Sequence, residues 1–336
     1  MYVDYLGHLA VDDPMWRYLK DHMLPQQGLF AQNVGFRVFQ PANSRNVYIY
    51  EEINTGLRVL AKFHPDRPVH SDNKDRSGET EYHNLLFLRS IGFDAAPNYV
   101  VKPFGFNREI GGVIVMEFLE GAVLGDVITD AIHQGRRDRL FKKLTGLARF
   151  LASMHNKTAG DWNVDFEQGR SYMGQLINSL ITRRGMGSDH YTELYELREA
   201  WFNEACMWED TSVLVHGDVT PSNFLVGRGT DVIAIDLERM KWDDRVFDLG
   251  RICGELKHFF LQATGQRHAS EPFIGHFLWE YCGHFPDQLS AFKAITRRIP
   301  FYMGTTLMRI ARNWWISPDY RWRLVREAKQ ILRGLP

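Results

Sequence analysis

Between Leu214 and Gly227 the chain reads LVHGDVTPSNFLVG, two short apolar runs enclosing a histidine, an aspartate and an asparagine. Asp218 and Asn223 stand five positions apart, and a third oxygen-bearing side chain, Asp236, follows in DVIAIDLERM. A carboxylate, an amide oxygen and a second carboxylate at loop ends are hard ligands of the kind magnesium takes. Phosphoryl transfer calls for such a set. Metal-bound oxygens neutralise the phosphates, and one carboxylate orients and deprotonates an incoming hydroxyl. His216 is expected to fix the loop by hydrogen bonds rather than to shuttle protons. Glu238, two residues beyond Asp236, reads as an exposed acid at a strand end and stays outside the metal set.

Such side chains need elements that hold them. Asp13-Pro14 is a helix start, with Asp as N-cap and Pro at the first helical position, and the helix runs to about Met23. From Arg37 to His64 come three strands, RVFQ, VYIYEEI and LRVLAKFH, with Asn54-Thr55-Gly56 as the turn between the last two. In the third strand Leu57, Val59, Ala61 and Phe63 share one face, which sends Arg58, Leu60 and Lys62 to the other. GETEYHNLLFLRSIGF is a helix on which Glu81, Leu85 and Leu88 share a side. NYVVKPFGFN and GGVIVMEFLEG are two further strands. A small antiparallel sheet with one helix laid on it follows. After Gly121 the text turns helical, with segments near 139–155, 171–183, 191–208, 246–264, 271–283, 288–312 and 318–333; only 213–236 looks extended there.

Composition narrows the classes. The formal net charge is −1, so nothing global calls for nucleic acid or an anionic membrane. Three scattered cysteines make neither a disulfide framework nor a zinc pattern. The first residues lack the basic start and apolar middle of a secretory signal, and no run approaches a membrane span. The expectation is a cytoplasmic protein with no membrane and no nucleic-acid partner.

HGDVTPSN followed by AIDLE resembles the signature of the aminoglycoside phosphotransferase and choline kinase group of kinase-like enzymes, over roughly residues 35 to 260. The resemblance implies an α+β, two-lobed protein-kinase-like fold: an N-lobe of antiparallel sheet with one helix over 1–118 and a mainly helical C-lobe over 119–336. It implies ATP and Mg2+, with Asp218 as catalytic base and Asn223 and Asp236 as magnesium ligands. Lys62 would contact the nucleotide phosphates, paired with Glu81. The linker Met116-Glu117-Phe118-Leu119 would hold the adenine through its backbone, with Glu117 and Leu119 among the nucleotide-binding residues. Asp248, in VFDLGR, would brace the catalytic loop, and His155 closes the helix ahead of it. The phosphate-covering loop reads QPANSRNVY and lacks the family's usual glycine, which leaves Ser44 and Asn46 to donate hydrogen bonds there.

A small-molecule hydroxyl is the expected acceptor. Against a protein kinase stand Thr220 in place of a lysine, Gly217 in place of an arginine, and the dozen or so residues between Asp236 and Asp248, too few for an activation loop. A catalytically weak or inactive nucleotide-binding module is the other rival reading. From Arg251 to Pro336 there are 13 Lys and Arg against 6 Asp and Glu, so nothing announces a site for a polycation. A sugar or amino alcohol is as good an acceptor as an aminoglycoside. Trp279, Trp314, Trp315 and Tyr302 are expected in the core, with stacking on a sugar or amine as the rival role.

Overall fold

The computed structural model describes residues 3–30, 33–42, 44, 46–64 and 78–336. Contacts divide the chain into two compact units, Met1–Gly121 with Ala234–Arg239, and Ala122–Ile233 with Met240–Pro336.

The first unit is built on six antiparallel strands in the order β1 (Val3–His8), β2 (Phe36–Pro41), β3 (Val47–Glu52), β4 (Arg58–Phe63), β8 (Val113–Glu117) and β7 (Pro103–Asn107). Helix α2 (Gly78–Ser90) and the short strands β5 (Asp94–Ala95) and β6 (Asn98–Val100) complete it. The alternation in β4 does what period two demands. Val59 and Ala61 are buried on one face with Phe36, Tyr50, Val113 and Val115, covered by Met15, Leu19, Met23 and Leu24. Lys62 is left for the opposite face, in register with Val47 and Ile114. The β3–β4 turn is closed by Glu52, whose carboxylate accepts from Thr55 N at 2.7 Å and Asn54 N at 3.1 Å.

Helix α1 (Pro14–Tyr18) starts as expected, Asp13 Oδ1 accepting from Met15 N at 2.7 Å. It is shorter than the expected run to Met23. A wider π turn covers Leu19–Met23 and a tighter one Leu24–Gln27, still presenting Leu19, Met23 and Leu24 to the sheet. Strand β1 carries no signal in the sequence: at the sheet's edge most of its residues are exposed, so apolar and polar positions do not alternate.

The second unit is mainly helical: α3 (Leu124–His133), α4 (Arg137–Lys157), α5 (Glu167–Arg184), α6 (Ser188–Phe202), α7 (Arg245–Thr264), α8 (Glu271–Cys282), α9 (Gln288–Ala311) and α10 (Pro318–Leu332). Helix α6 stops at Phe202, short of the expected Trp208, and a tight turn over Ala205–Met207 follows. Four short strands lie between α6 and α7: β9 (Val213–Val215), β10 (Phe224–Val226), β11 (Val232–Ala234) and β12 (Lys241–Asp243). The last was not foreseen; it pairs with β9, three residues being too few for a visible period.

Helix α7 is the unit's central element, buried along most of its length. Asp244 caps it, accepting from Val246 N at 3.0 Å. Helix α9 crosses it almost backbone on backbone: a Cβ at Gly250 would stand 2.3 Å from Tyr302 Cβ, and one at Gly254 2.6 Å from Thr306 Cβ. Only glycines permit that approach. Arg298 of α9 reaches the Asp244 carboxylate at 2.7 Å and also binds Asp210. All three cysteines are free and buried. Among the described residues no helix is long and apolar enough to cross a membrane.

Candidate functional site

In the first unit, Lys62 gathers three carboxylates. Its Nζ donates to Asp236 Oδ1 at 2.6 Å, Glu81 Oε2 at 2.8 Å and Glu238 Oε2 at 3.0 Å. Strand β4 supplies the lysine and α2 the buried Glu81, fixed by the burial of Leu85 and Leu88 on the same helical side. Those two leucines stabilise that orientation by roughly 1.5–3 kcal/mol each. Asp236 lies just beyond β11 with φ of 63°, the one non-glycine residue with positive φ among those described. Asp tolerates that conformation better than most residues, and strain of this kind collects at working sites. Asn84 Nδ2 donates to Leu237 O at 2.8 Å and ties the following turn to α2.

Glu238 is not the exposed strand-end acid expected from the sequence. The turn Leu237–Arg239 swings it back onto Lys62, with its side chain 18% exposed. Burial works against the charge on Lys62, but Glu81, Asp236 and Glu238 outweigh it and raise its pKa well above the ordinary lysine range. Three carboxylates gather at one ammonium, with Arg239 Nε a further 3.7 Å from Glu238 Oε1, so acidic groups outnumber Lys62 and Arg239 there. Hard oxygen donors in that state suit a divalent cation.

Glu79, the rival to Glu81, is half-buried and pairs with Arg108 instead. Ser44 N donates to Pro41 O at 3.0 Å and Asn46 O accepts from Phe63 N at 2.8 Å, so both shape the β2–β3 turn. Asn43 and Arg45 of that loop lie outside the described residues. Glu117 is held at the end of β8: its amide donates to Lys102 O at 2.9 Å, and its carboxylate accepts from Lys102 N at 2.5 Å and from the Tyr99 hydroxyl. Leu119 lines a cavity of about 110 Å³ with Phe39, Ile49, Arg58 and Phe118.

In the second unit, the loop between β9 and β10 carries His216, Asp218 and Asn223. Asp248 of α7, fully buried, accepts His216 N at 2.7 Å and Gly217 N at 3.0 Å. His155 Nε2 lies 3.2 Å from the same carboxylate and its Nδ1 lies 2.9 Å from the Tyr281 hydroxyl. Burial would raise the Asp248 pKa, but His155, His216 and the His216 amide hold it below the usual carboxylate range. Gly217 has φ of 79°, a local reason for glycine where protein kinases carry arginine. His216 Nδ1 faces Asp218 N at 3.4 Å, and its ring lies 5.2 Å from that of Phe224.

Asn223 Nδ2 donates to Asp218 O at 2.9 Å, and Thr220 N donates to the same oxygen at 2.7 Å. With its nitrogen committed inward, Asn223 has its Oδ1 left to accept from Ser222 Oγ at 3.3 Å, and an amide oxygen has a second lone pair that a cation can take. Asp218 Oδ1 receives Arg251 Nη1 at 3.3 Å. Arg251 was missed in the sequence; its signal is a position three after Asp248, one helical turn on. Trp279, Trp314 and Trp315 are exposed rather than in the core, whereas Tyr302 is buried.

The model of the family described as "Phosphotransferase enzyme family" matches residues 42–283. Among solved structures, the chain is similar to the ethanolamine kinase of Plasmodium vivax, with a TM-score of 0.60 and 15% identity over 95% of this chain and 88% of that one. It is similar to the choline kinase LicA of Streptococcus pneumoniae, with a TM-score of 0.54 and 16% identity over 96% and 99%. The aminoglycoside phosphotransferase APH(2")-IIa, solved as a streptomycin–ATP ternary complex, gives a TM-score of 0.54 and 12% identity over 96% and 97%. At such identities these likenesses establish a shared kinase-like fold. No curated protein matches the sequence.

Proposed function

Because the chain belongs to the phosphotransferase enzyme family, we propose that it transfers the γ-phosphate of ATP, with magnesium, to a hydroxyl of a small molecule. The observation that carries this reading is the meeting of Lys62, Glu81 and Asp236 from three segments distant in sequence. An ammonium held by a buried carboxylate is a positioned point charge for phosphate oxygens.

Each residue then has a task. Lys62, steadied by Glu81, binds and orients the phosphates. Asn223 and Asp236 would hold magnesium, which supplies charge neutralisation at the phosphates when bound. Asp218 receives the acceptor hydroxyl and takes its proton, the oxygen bonds to the γ-phosphorus, and the bond to the ADP oxygen breaks. Asp248 keeps the loop in place through two backbone amides while His216 supports it from within. Within the linker Met116-Glu117-Phe118-Leu119 we assign Glu117 and Leu119 to adenine, with the β2–β3 turn at Ser44 and Asn46 beside the phosphates. The buried free thiols and the need for ATP fit a cytoplasmic enzyme.

The test is ADP release with magnesium and a panel of hydroxyl compounds, comparing the native chain with Asp218→Asn. Loss of acceptor-dependent turnover on the order of 10²–10⁴-fold is expected for removal of a general base. Equal turnover by both proteins would overturn the assignment and leave a nucleotide-binding module.

A further inference from the structure

Charged side chains of the second unit gather about Asp218. Arg251, one turn beyond Asp248 on α7, is 4% exposed and donates to the base from Nη1 at 3.3 Å. Glu255, one turn further and also buried, pairs with Arg309 of α9. Glu255 also acts on the charge of Arg251, but the Arg251 guanidinium is the cation that bonds the base. Lys257 turns to Glu271 at 3.0 Å, and His258 beside it adds no charge at neutral pH: burial, reinforced by Arg309, pulls it down to about 4.

A guanidinium offers five N–H donors in a planar fork. Among the described residues, Arg251 makes one long hydrogen bond and has the Phe247 ring 5.0 Å away. Buried cations are ordinarily bonded through most of their donors, so a guanidinium this poorly met is built for a partner that arrives with the substrate. The partner that matches a planar fork is a carboxylate or a phosphate.

Resting on the phosphotransferase reading above, we infer that the hydroxyl acceptor carries an anionic group, carboxylate or phosphate, which Arg251 clasps while Asp218 takes the hydroxyl proton. An amino alcohol or aminoglycoside would bring its ammonium toward Arg251 in a site where charges are poorly screened, and is selected against.

The full chain, saturated with magnesium and a non-hydrolysable ATP analogue, is titrated by calorimetry with matched probes: D-glycerate against glycerol, and glucose 6-phosphate against glucose and glucosamine, with choline as a further cation. At least one anionic probe is expected to bind tenfold or more tighter than its neutral counterpart, and the cations weakest. Arg251→Gln should erase the anion preference and Arg251→Lys retain part of it. Tightest binding by a cation, equal binding of neutral and anionic probes, no binding of either anion, or an anion preference unchanged in Arg251→Gln overturns the inference. The probe series on the native chain decides alone if the variants do not fold. Failure of the ATP analogue itself to bind sinks the phosphotransferase reading instead; analogue binding together with cation preference sinks only this one.

Discussion

The ammonium of Lys62 and the carboxylate of Asp236 meet at 2.6 Å across 174 residues of chain. Such a pair closes a very long loop, and its formation depends on Ala234–Arg239 joining the first unit.

That relationship sets the first prediction. Lys62→Met leaves buried Glu81, with Asp236 and Glu238, facing one another without the ammonium. Breaking a fully buried pair costs about 3–5 kcal/mol. The Lys62 side chain is 19% exposed, so about 2–3 kcal/mol is expected from urea denaturation once that is discounted. The double variant Lys62→Met with Glu81→Leu should recover part of the loss. If the single variant is as stable as the native chain, the triad is held by something else.

Legibility was uneven, for physical reasons. The alternation of Val59 and Ala61 exposed Lys62's face, and the Glu81, Leu85, Leu88 spacing chose that acid over Glu79, because both signals come from burial. The loop carrying Asp218 and Asn223 was readable from spacing alone. Strand β1 was not readable, since edge pairing through the backbone leaves no side-chain pattern. Nor was the return of Glu238 to Lys62, which depends on a positive φ at Asp236 that the residue type permits without announcing.

The brace on the catalytic loop yields a second prediction. Asp248→Asn keeps the shape but presents an NH2 group where the carboxylate now accepts two backbone amides. A buried mismatch of that kind costs about 1–3 kcal/mol. Displacing Asp218 by a fraction of an ångström should lower kcat on the order of a hundredfold. The nucleotide KM should stay near its native value, because Asp248 touches the loop and not the Lys62 group. Steady-state kinetics with varied ATP separates the two, and an unchanged kcat would refute the bracing role.

The crossing of α7 and α9 supplies a third. Gly250→Ala puts a methyl 2.3 Å from Tyr302 Cβ, too close without moving a helix. Overpacking of this sort costs about 1–3 kcal/mol. At Gly275 on α8 an added Cβ would meet nothing within 4 Å, and Gly275→Ala should stabilise by roughly 0.5–1 kcal/mol through helix propensity. Opposite shifts in the thermal midpoint are expected from the same chemical change.

The fourth concerns pH. His258, with a folded pKa of about 4 against 6.5 unfolded, binds fewer protons when folded between those values. Its contribution therefore favours folding more as pH rises from 4 to 6.5, and is complete above that. Asp244, pushed up to about 6 by burial against the pull of Arg298, acts in the opposite sense between 3.8 and 6. Comparing native chain and His258→Asn isolates the histidine. The native minus variant stability should climb by up to about 3 kcal/mol from pH 4 to 7. A flat difference curve would show that His258 titrates alike in the folded and unfolded chain, and would refute the burial effect.

Helix α7 acts as a ruler. Its cap at Asp244, the brace at Asp248, the cation at Arg251 and the acid at Glu255 fall within about three turns of one rigid rod, wedged against α9 by two glycines. A residue inserted between 248 and 251 would turn everything beyond it through about 100°. The loop could keep its shape while the charge beside the base swung out of reach. Changes in acceptor choice are thus expected to come by replacing side chains along this rod, never by lengthening it.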